Sequence, residues 1–158
     1  MGKSLVIKGA DFSENGISTS VTWVAQYPSD ILIGGSGRVV SSDVIFFPIA
    51  SEVTRLNMVG KTIRFIKLNA AAAGTISVYT IATADGSTSN EQSLSVSAGV
   101  NILELNMPIS ISSDAVSVGL KGNGIIRYWA ASGSYPSRGW LYAEGGAARI
   151  PIDFGYEV

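Results

Sequence analysis

ARIPIDFGYEV, residues 148–158, alternates along its length: Ile150, Ile152, Phe154, Tyr156 and Val158 share one parity, and Arg149, Asp153 and Glu157 share the other. A period of two belongs to an extended strand, whose successive side chains point to opposite faces. The segment therefore reads as a strand with one face in a core and one in solvent. VTWVAQY, residues 21–27, repeats the pattern, with Val21, Trp23, Ala25 and Tyr27 against Thr22, Val24 and Gln26. Residues 4–8, 38–47, 61–69, 74–83, 93–97, 100–106, 115–121, 125–131 and 138–143 carry further strand patterns.

Between these runs stand Gly34-Gly35-Ser36-Gly37, Asp85-Gly86-Ser87, Ala98-Gly99 and Gly122-Asn123-Gly124. Glycine and asparagine supply the positive φ that tight hairpin turns require. Strands punctuated by turns about every ten residues predict an antiparallel sandwich or barrel, not alternating strands and helices. In KTIRFIKLN, residues 61–69, the pattern slips: Ile63 and Phe65 share one parity, Ile66 and Leu68 the other. A β-bulge, or a strand buried on both faces, accounts for the slip. SEVTRLNM, residues 51–58, supports one short helical turn, with Ser51 as the expected cap and Val53 and Leu56 on one face. The alanine run at 70–73 is too short for a helix and reads as a connection.

The chain has 158 residues, the size of one domain, with residues 1–17 as a leading segment and 18–158 as the sandwich. Hydrophobic residues make up 46% of it and charged residues 15%. So few charges on so apolar a chain imply burial against further copies, and a homo-oligomer is expected. The formal net charge of −1, with acids and bases scattered singly, offers no field for nucleic acid. Cysteine and histidine are both absent, which removes disulfides, thiolate chemistry, Ser-His-Asp relays and histidine metal sites. The apolar run Leu5-Val6-Ile7 is too short for a signal-peptide core, and nothing approaches the ~18 apolar residues of a membrane span. No signal peptide and no membrane insertion are therefore expected, and a protein released by lysis fits this start.

Chemistry has few places to sit. Asp43, Glu104 and Asp153 fall within strand patterns, where a carboxylate is expected to face solvent, and no pair of acids forms a glycosidase-like motif. DGSTSNE, residues 85–91, presents Asp85, Asn90 and Glu91 as oxygen ligands around a turn, but lacks the alternation of a calcium loop. It reads as a hairpin tip. GGSG, residues 34–37, lacks the GK[ST] and the following helix of a phosphate cradle. No catalytic residue, metal or cofactor is assigned.

GIIRYWAASGSYPSRGWLYAEG, residues 124–145, gathers two of the three tryptophans and three of the six tyrosines. In a strand over 125–131, Arg127 and Trp129 share one face and Ile126, Tyr128 and Ala130 the other; in the next, Trp140 and Tyr142 oppose Leu141 and Ala143. One set fills the core. A ring left outside can stack on the C–H face of a sugar while polar neighbours bond its hydroxyls. Tyr135, between Ser134 and Pro136, lies on the connecting loop beside Arg138, as a contact residue or as a lid over the sandwich end. Trp129, Tyr135, Arg138, Trp140, Tyr142 and Arg127 are the candidate glycan- or partner-binding residues. Core packing is the competing role for Trp23, Trp129 and Trp140.

KSLVIKGADFSENGI, residues 3–17, resembles the opening of a group of proteins encoded by gut Bacteroidetes and their phages. GKTIRFIKLNAAAAGTISVYTI and GVNILELNMPISISSDAVSVGLKGNGIIRYW, within residues 60–129, look like a jelly-roll module of the kind attached to hydrolases, tail fibres and surface adhesins there. The resemblance implies an antiparallel β-sandwich of jelly-roll type, with no catalytic residue to carry over. The expected function is a non-enzymatic module, on a virion or cell surface, that binds glycan or a host-surface protein by adhesion. A purely structural fibre or decoration subunit is the alternative, and an accessory domain of a carbohydrate-active enzyme a more distant one.

Overall fold

A computed structural model describes residues 11–14, 17–24, 38–39, 45–130, 140–143 and 148–157. The described chain is all-β, with antiparallel pairing throughout. In chain order the strands are β1 (Asp11–Glu14), β2 (Ile17–Trp23), β3 (Arg38–Val39), β4 (Ile45–Phe47), β5 (Thr62–Ala70), β6 (Gly74–Ala82), β7 (Thr88–Val96), β8 (Gly99–Ser110), β9 (Val116–Lys121), β10 (Arg127–Ala130), β11 (Trp140–Ala143) and β12 (Ala148–Glu157). The helix α1 (Ala50–Arg55) lies between β4 and β5.

β12 organises the whole. Its C-terminal half pairs β2 on one side and β5 on the other, and β5 pairs β8, which gives a ladder β1-β2-β12-β5-β8. Its N-terminal half pairs β11 and β10, and the second ladder runs β7-β6-β9-β4-β11-β12, with β3 on β10. A strand of ten residues spans about 33 Å, long enough to serve both.

One core joins the two ladders. Ile63, Ile66, Leu68, Leu103, Leu105, Ile152 and Phe154 from the first pack with Ile76, Val78, Leu94, Val96, Val118 and Leu120 from the second. Val53 of α1, with Leu56 and Met58 just beyond it, joins the same cluster. Each such aliphatic side chain contributes roughly 1.5–3 kcal/mol by leaving water. The helix carries its apolar pair as expected but starts differently. Ile49 occupies the N-cap without a side-chain bond, so Ser51 lies inside the first turn and caps nothing.

The slip in residues 61–69 has both of its proposed causes. The β5–β8 register moves from Phe65 opposite Glu104 to Ile63 opposite Ile109, so residues 105–108 leave that ladder. Phe65 and Ile66 are both buried, on opposite faces. Gln92 of β7 secures the displaced segment: its Nε2 donates to the Met107 carbonyl at 2.8 Å and its Oε1 accepts from the Met107 N–H at 3.0 Å. These bonds tie the margin of one ladder to that of the other.

Some strand expectations change. The described ends of segment 38–47 pair different strands, Arg38–Val39 with β10 and Ile45–Phe47 with β9 and β11. β7 begins at Thr88, well before residue 93, because residues 88–91 are all exposed and show no alternation to read. The C-terminal strand is not half-solvated: Asp153 has no exposed surface. Residues 4–8 and the glycine turn at 34–37 lie outside the described residues.

Candidate functional site

The non-core face of the first ladder is where aromatic and charged side chains meet. On β12, Ile152 and Phe154 enter the core, so Asp153, Gly155 and Glu157 take the other face. Gly155 stands opposite Trp23 of β2 and Phe65 of β5, and Asp153 stands opposite Lys67 of β5. A β-carbon at position 155 would lie 2.8 Å from Val21 Cγ1, 3.0 Å from Phe65 Cβ and 3.0 Å from Trp23 Cζ3. The missing side chain is thus the space across which the Trp23 ring packs. Trp23 keeps part of its surface exposed.

Lys67 places its Nζ over the Trp23 ring, 4.2 Å from the centroid. A cation near an aromatic face is attracted by the ring quadrupole, by about 0.5–1 kcal/mol at a partly wet site. Burial pulls the Lys67 ammonium below its ordinary pKa, and the negative charge of Asp153 pushes it partly back. The Asp153 carboxylate accepts the Phe154 N–H at 2.9 Å.

Farther along the same face, the Arg64 guanidinium reaches Glu157 at 2.9 Å and Glu104 at 3.3 Å. It joins β5, β12 and β8 across the bulge. Its Nε is buried without a hydrogen-bond partner among the described residues. The face therefore offers a partly exposed indole, an ammonium poised over it and a carboxylate–guanidinium cluster alongside. It can stack a ring and donate to hydroxyls. No nucleophile with an adjacent base is present among these groups.

The sequence-derived candidates fall elsewhere on β12. Trp129 and Tyr142 stand on either side of Arg149 in the ladders, and Trp140 stands opposite Pro151. Three of the candidates thus converge on the N-terminal half of the strand whose C-terminal half carries Gly155. Their rings are not among the described side chains. Arg127, partly buried, opens β10 opposite Val39. Tyr135 and Arg138 lie outside the described residues, as does Asp43.

Trp23 is not among the sequence-derived candidates, because its alternation with Val21 reads as core-facing. Gly155, a glycine inside a strand pattern, was the available signal. Asp153 and Glu104 were both read as solvated. Asp153 instead lies beneath the surface of this face, and Glu104 is partly buried against Arg64. At the hairpin of residues 83–87, Asp85 accepts the Ser87 N–H at 2.9 Å. Glu91 accepts the Tyr79 hydroxyl at 3.2 Å. Among the described residues no group of three acids is placed to hold a metal ion. Comparison with known protein families, with curated proteins and with solved structures found no match, so the chemistry of this face is argued from its own residues.

Proposed function

We propose that this chain is a non-enzymatic β-sandwich module of jelly-roll type that binds glycan at the β2-β12-β5 face, on a virion or cell surface. The observation that carries it is Trp23: a partly exposed ring laid across Gly155, with an ammonium over part of it, on a sheet face turned away from the core. A flat aromatic surface flanked by hydrogen-bond donors suits the alternating C–H and hydroxyl faces of a pyranose. The resemblance of residues 3–17 and 60–129 to modules of gut Bacteroidetes and their phages agrees with adhesion as the role.

The test is electrophoresis through gels containing dissolved polysaccharides, with a gel lacking polysaccharide as reference. We expect at least one polysaccharide to retard the protein, and Trp23→Ala to weaken retardation about tenfold, the equivalent of ~1.4 kcal/mol. A Trp23→Ala variant that remains folded and is retarded as strongly as the parent refutes the site.

A structural fibre or decoration subunit is the second reading, favoured by the margin of the first ladder. Among the described strands β8 pairs only β5, and it carries Val100 at 44% and Met107 at 43% exposure. Away from Met107, whose backbone Gln92 occupies, a strand margin with exposed apolar side chains invites pairing with another chain. Sedimentation at micromolar concentration separates the two readings: a strict monomer removes the subunit reading.

A further inference from the structure

The charges around Trp23 narrow the class of ligand, and the inference rests on the glycan reading above. We infer that this face accepts a neutral glycan and disfavours an anionic one, with Lys67 donating to ligand hydroxyls.

Each cation described on this face is already answered by a carboxylate. Arg64 is held between Glu157 and Glu104, at 2.9 and 3.3 Å. Lys67 is opposed by Asp153, directly across the β5–β12 ladder and wholly removed from solvent. A carboxylate shut away from water is screened less than one in solution, so its charge acts on the ammonium across the ladder. Asp153, Glu104 and Glu157 outnumber Lys67 and Arg64. Among the described residues a uronate or sulfate meets no uncompensated positive charge here, and it meets the carboxylates of Glu104 and Glu157 as like charges.

The same arrangement leaves hydrogen-bonding capacity for a neutral ligand. The contact of Lys67 with Trp23 turns one side of the ammonium to the ring and leaves N–H donors on the side away from it. None of them donates to a described residue. A sugar stacked on the exposed part of the indole brings hydroxyl oxygens to that ammonium, and the exchange moves no net charge. Asp153 is buried, so its effect on the ligand is indirect, through the protonation of Lys67.

The experiment compares retardation by neutral polysaccharides (β-glucan, galactomannan, arabinoxylan) with retardation by anionic ones (polygalacturonate, alginate, chondroitin sulfate), between about 0.05 and 1 M NaCl. The parent protein should be retarded by a neutral polymer, with little change across that salt range, and not by the anionic ones. Lys67→Met should weaken neutral binding about tenfold, the loss expected for a hydrogen bond from a charged donor. The double variant Glu104→Gln/Glu157→Gln keeps the buried core intact and releases Arg64, so it should acquire retardation by an anionic polymer that fades as salt rises. This variant keeps the inference testable if Lys67→Met fails to fold. Salt-sensitive retardation of the parent by an anionic polymer overturns the inference and leaves the glycan site standing. Unchanged neutral binding in folded Lys67→Met, or no gain in the double variant, also overturns it. Retardation by no polymer at all refutes the glycan reading itself.

Discussion

The Lys67 ammonium stands 4.2 Å from the centre of the Trp23 ring, and that ring occupies the space left by the missing side chain of Gly155. Three neighbouring strands of one ladder, β2, β12 and β5, each contribute one part of the arrangement. The glycine is the part that admits no replacement, since its neighbours approach from both sides.

Gly155→Ala should destabilise the protein by about 1–3 kcal/mol, the usual cost of forcing volume into a packed site. Two effects compete. Alanine restricts the unfolded chain and so stabilises by ~0.4–1 kcal/mol where the native backbone allows it. The added carbon, however, would meet Phe65 Cβ at 3.0 Å, an atom fixed to the backbone, as well as Val21 Cγ1 at 2.8 Å. Overpacking therefore wins. Urea unfolding measures the loss, and an unchanged midpoint would contradict the close packing of Trp23 over position 155.

Gln92→Leu should cost about 1–3 kcal/mol, because it leaves the N–H and the carbonyl of Met107 without their side-chain partner. Residues 105–108 do not pair with β5, so that ladder offers no substitute. Amide exchange reports the change locally. The Met107 amide should exchange much faster in the variant, while core amides such as Ile66 lose protection only in step with the global stability.

Ser117→Ala should stabilise the protein by about 0.5–1 kcal/mol. The Ser117 hydroxyl is buried without a hydrogen-bond partner among the described residues, and an unsatisfied buried hydroxyl is a net cost to folding. Thermal unfolding should shift upward by roughly 2–4 °C per kcal/mol for a chain of this size. A lower Tm in the variant would show that the hydroxyl has a favourable contact after all.

Lys67 should titrate below the ordinary lysine value of about 10.4, because burial disfavours its charged form more than Asp153 favours it. Asp153→Asn removes the opposing influence and should move the midpoint lower still. The linkage follows from the sign. In the interval between the depressed folded value and the ordinary unfolded one, the unfolded chain binds more protons, so this group makes stability rise as pH rises through that interval. Titration followed by NMR at the lysine ε-carbon checks both shifts. An upward shift in Asp153→Asn would mean that the carboxylate does not face the ammonium.

Strand content was legible in the sequence because hydrophobic alternation and turn glycines are local signals. Residues 61–69, 74–83 and 148–158 announce themselves by parity, and even the slip between Ile63 and Ile66 pointed to a bulge. Where parity was silent the reading failed: residues 88–91 are exposed on both sides and carry no pattern, and the start of α1 has no side-chain cap to mark it. The candidate site was less legible still. Alternation divides a strand into two faces without saying what covers either, so Asp153 read as solvated although it is fully buried, and Trp23 read as core although it lies on the opposite face. Those assignments depend on which strands flank β12, a matter of long-range register between residues 23, 65, 67, 153 and 155. Sequence alone determined the all-β class, the run of strands and the absence of cysteine and histidine chemistry. Only the tertiary structure decided that an indole, an ammonium and a buried carboxylate meet on one face, because their meeting is created by strand pairing and not by any spacing along the chain.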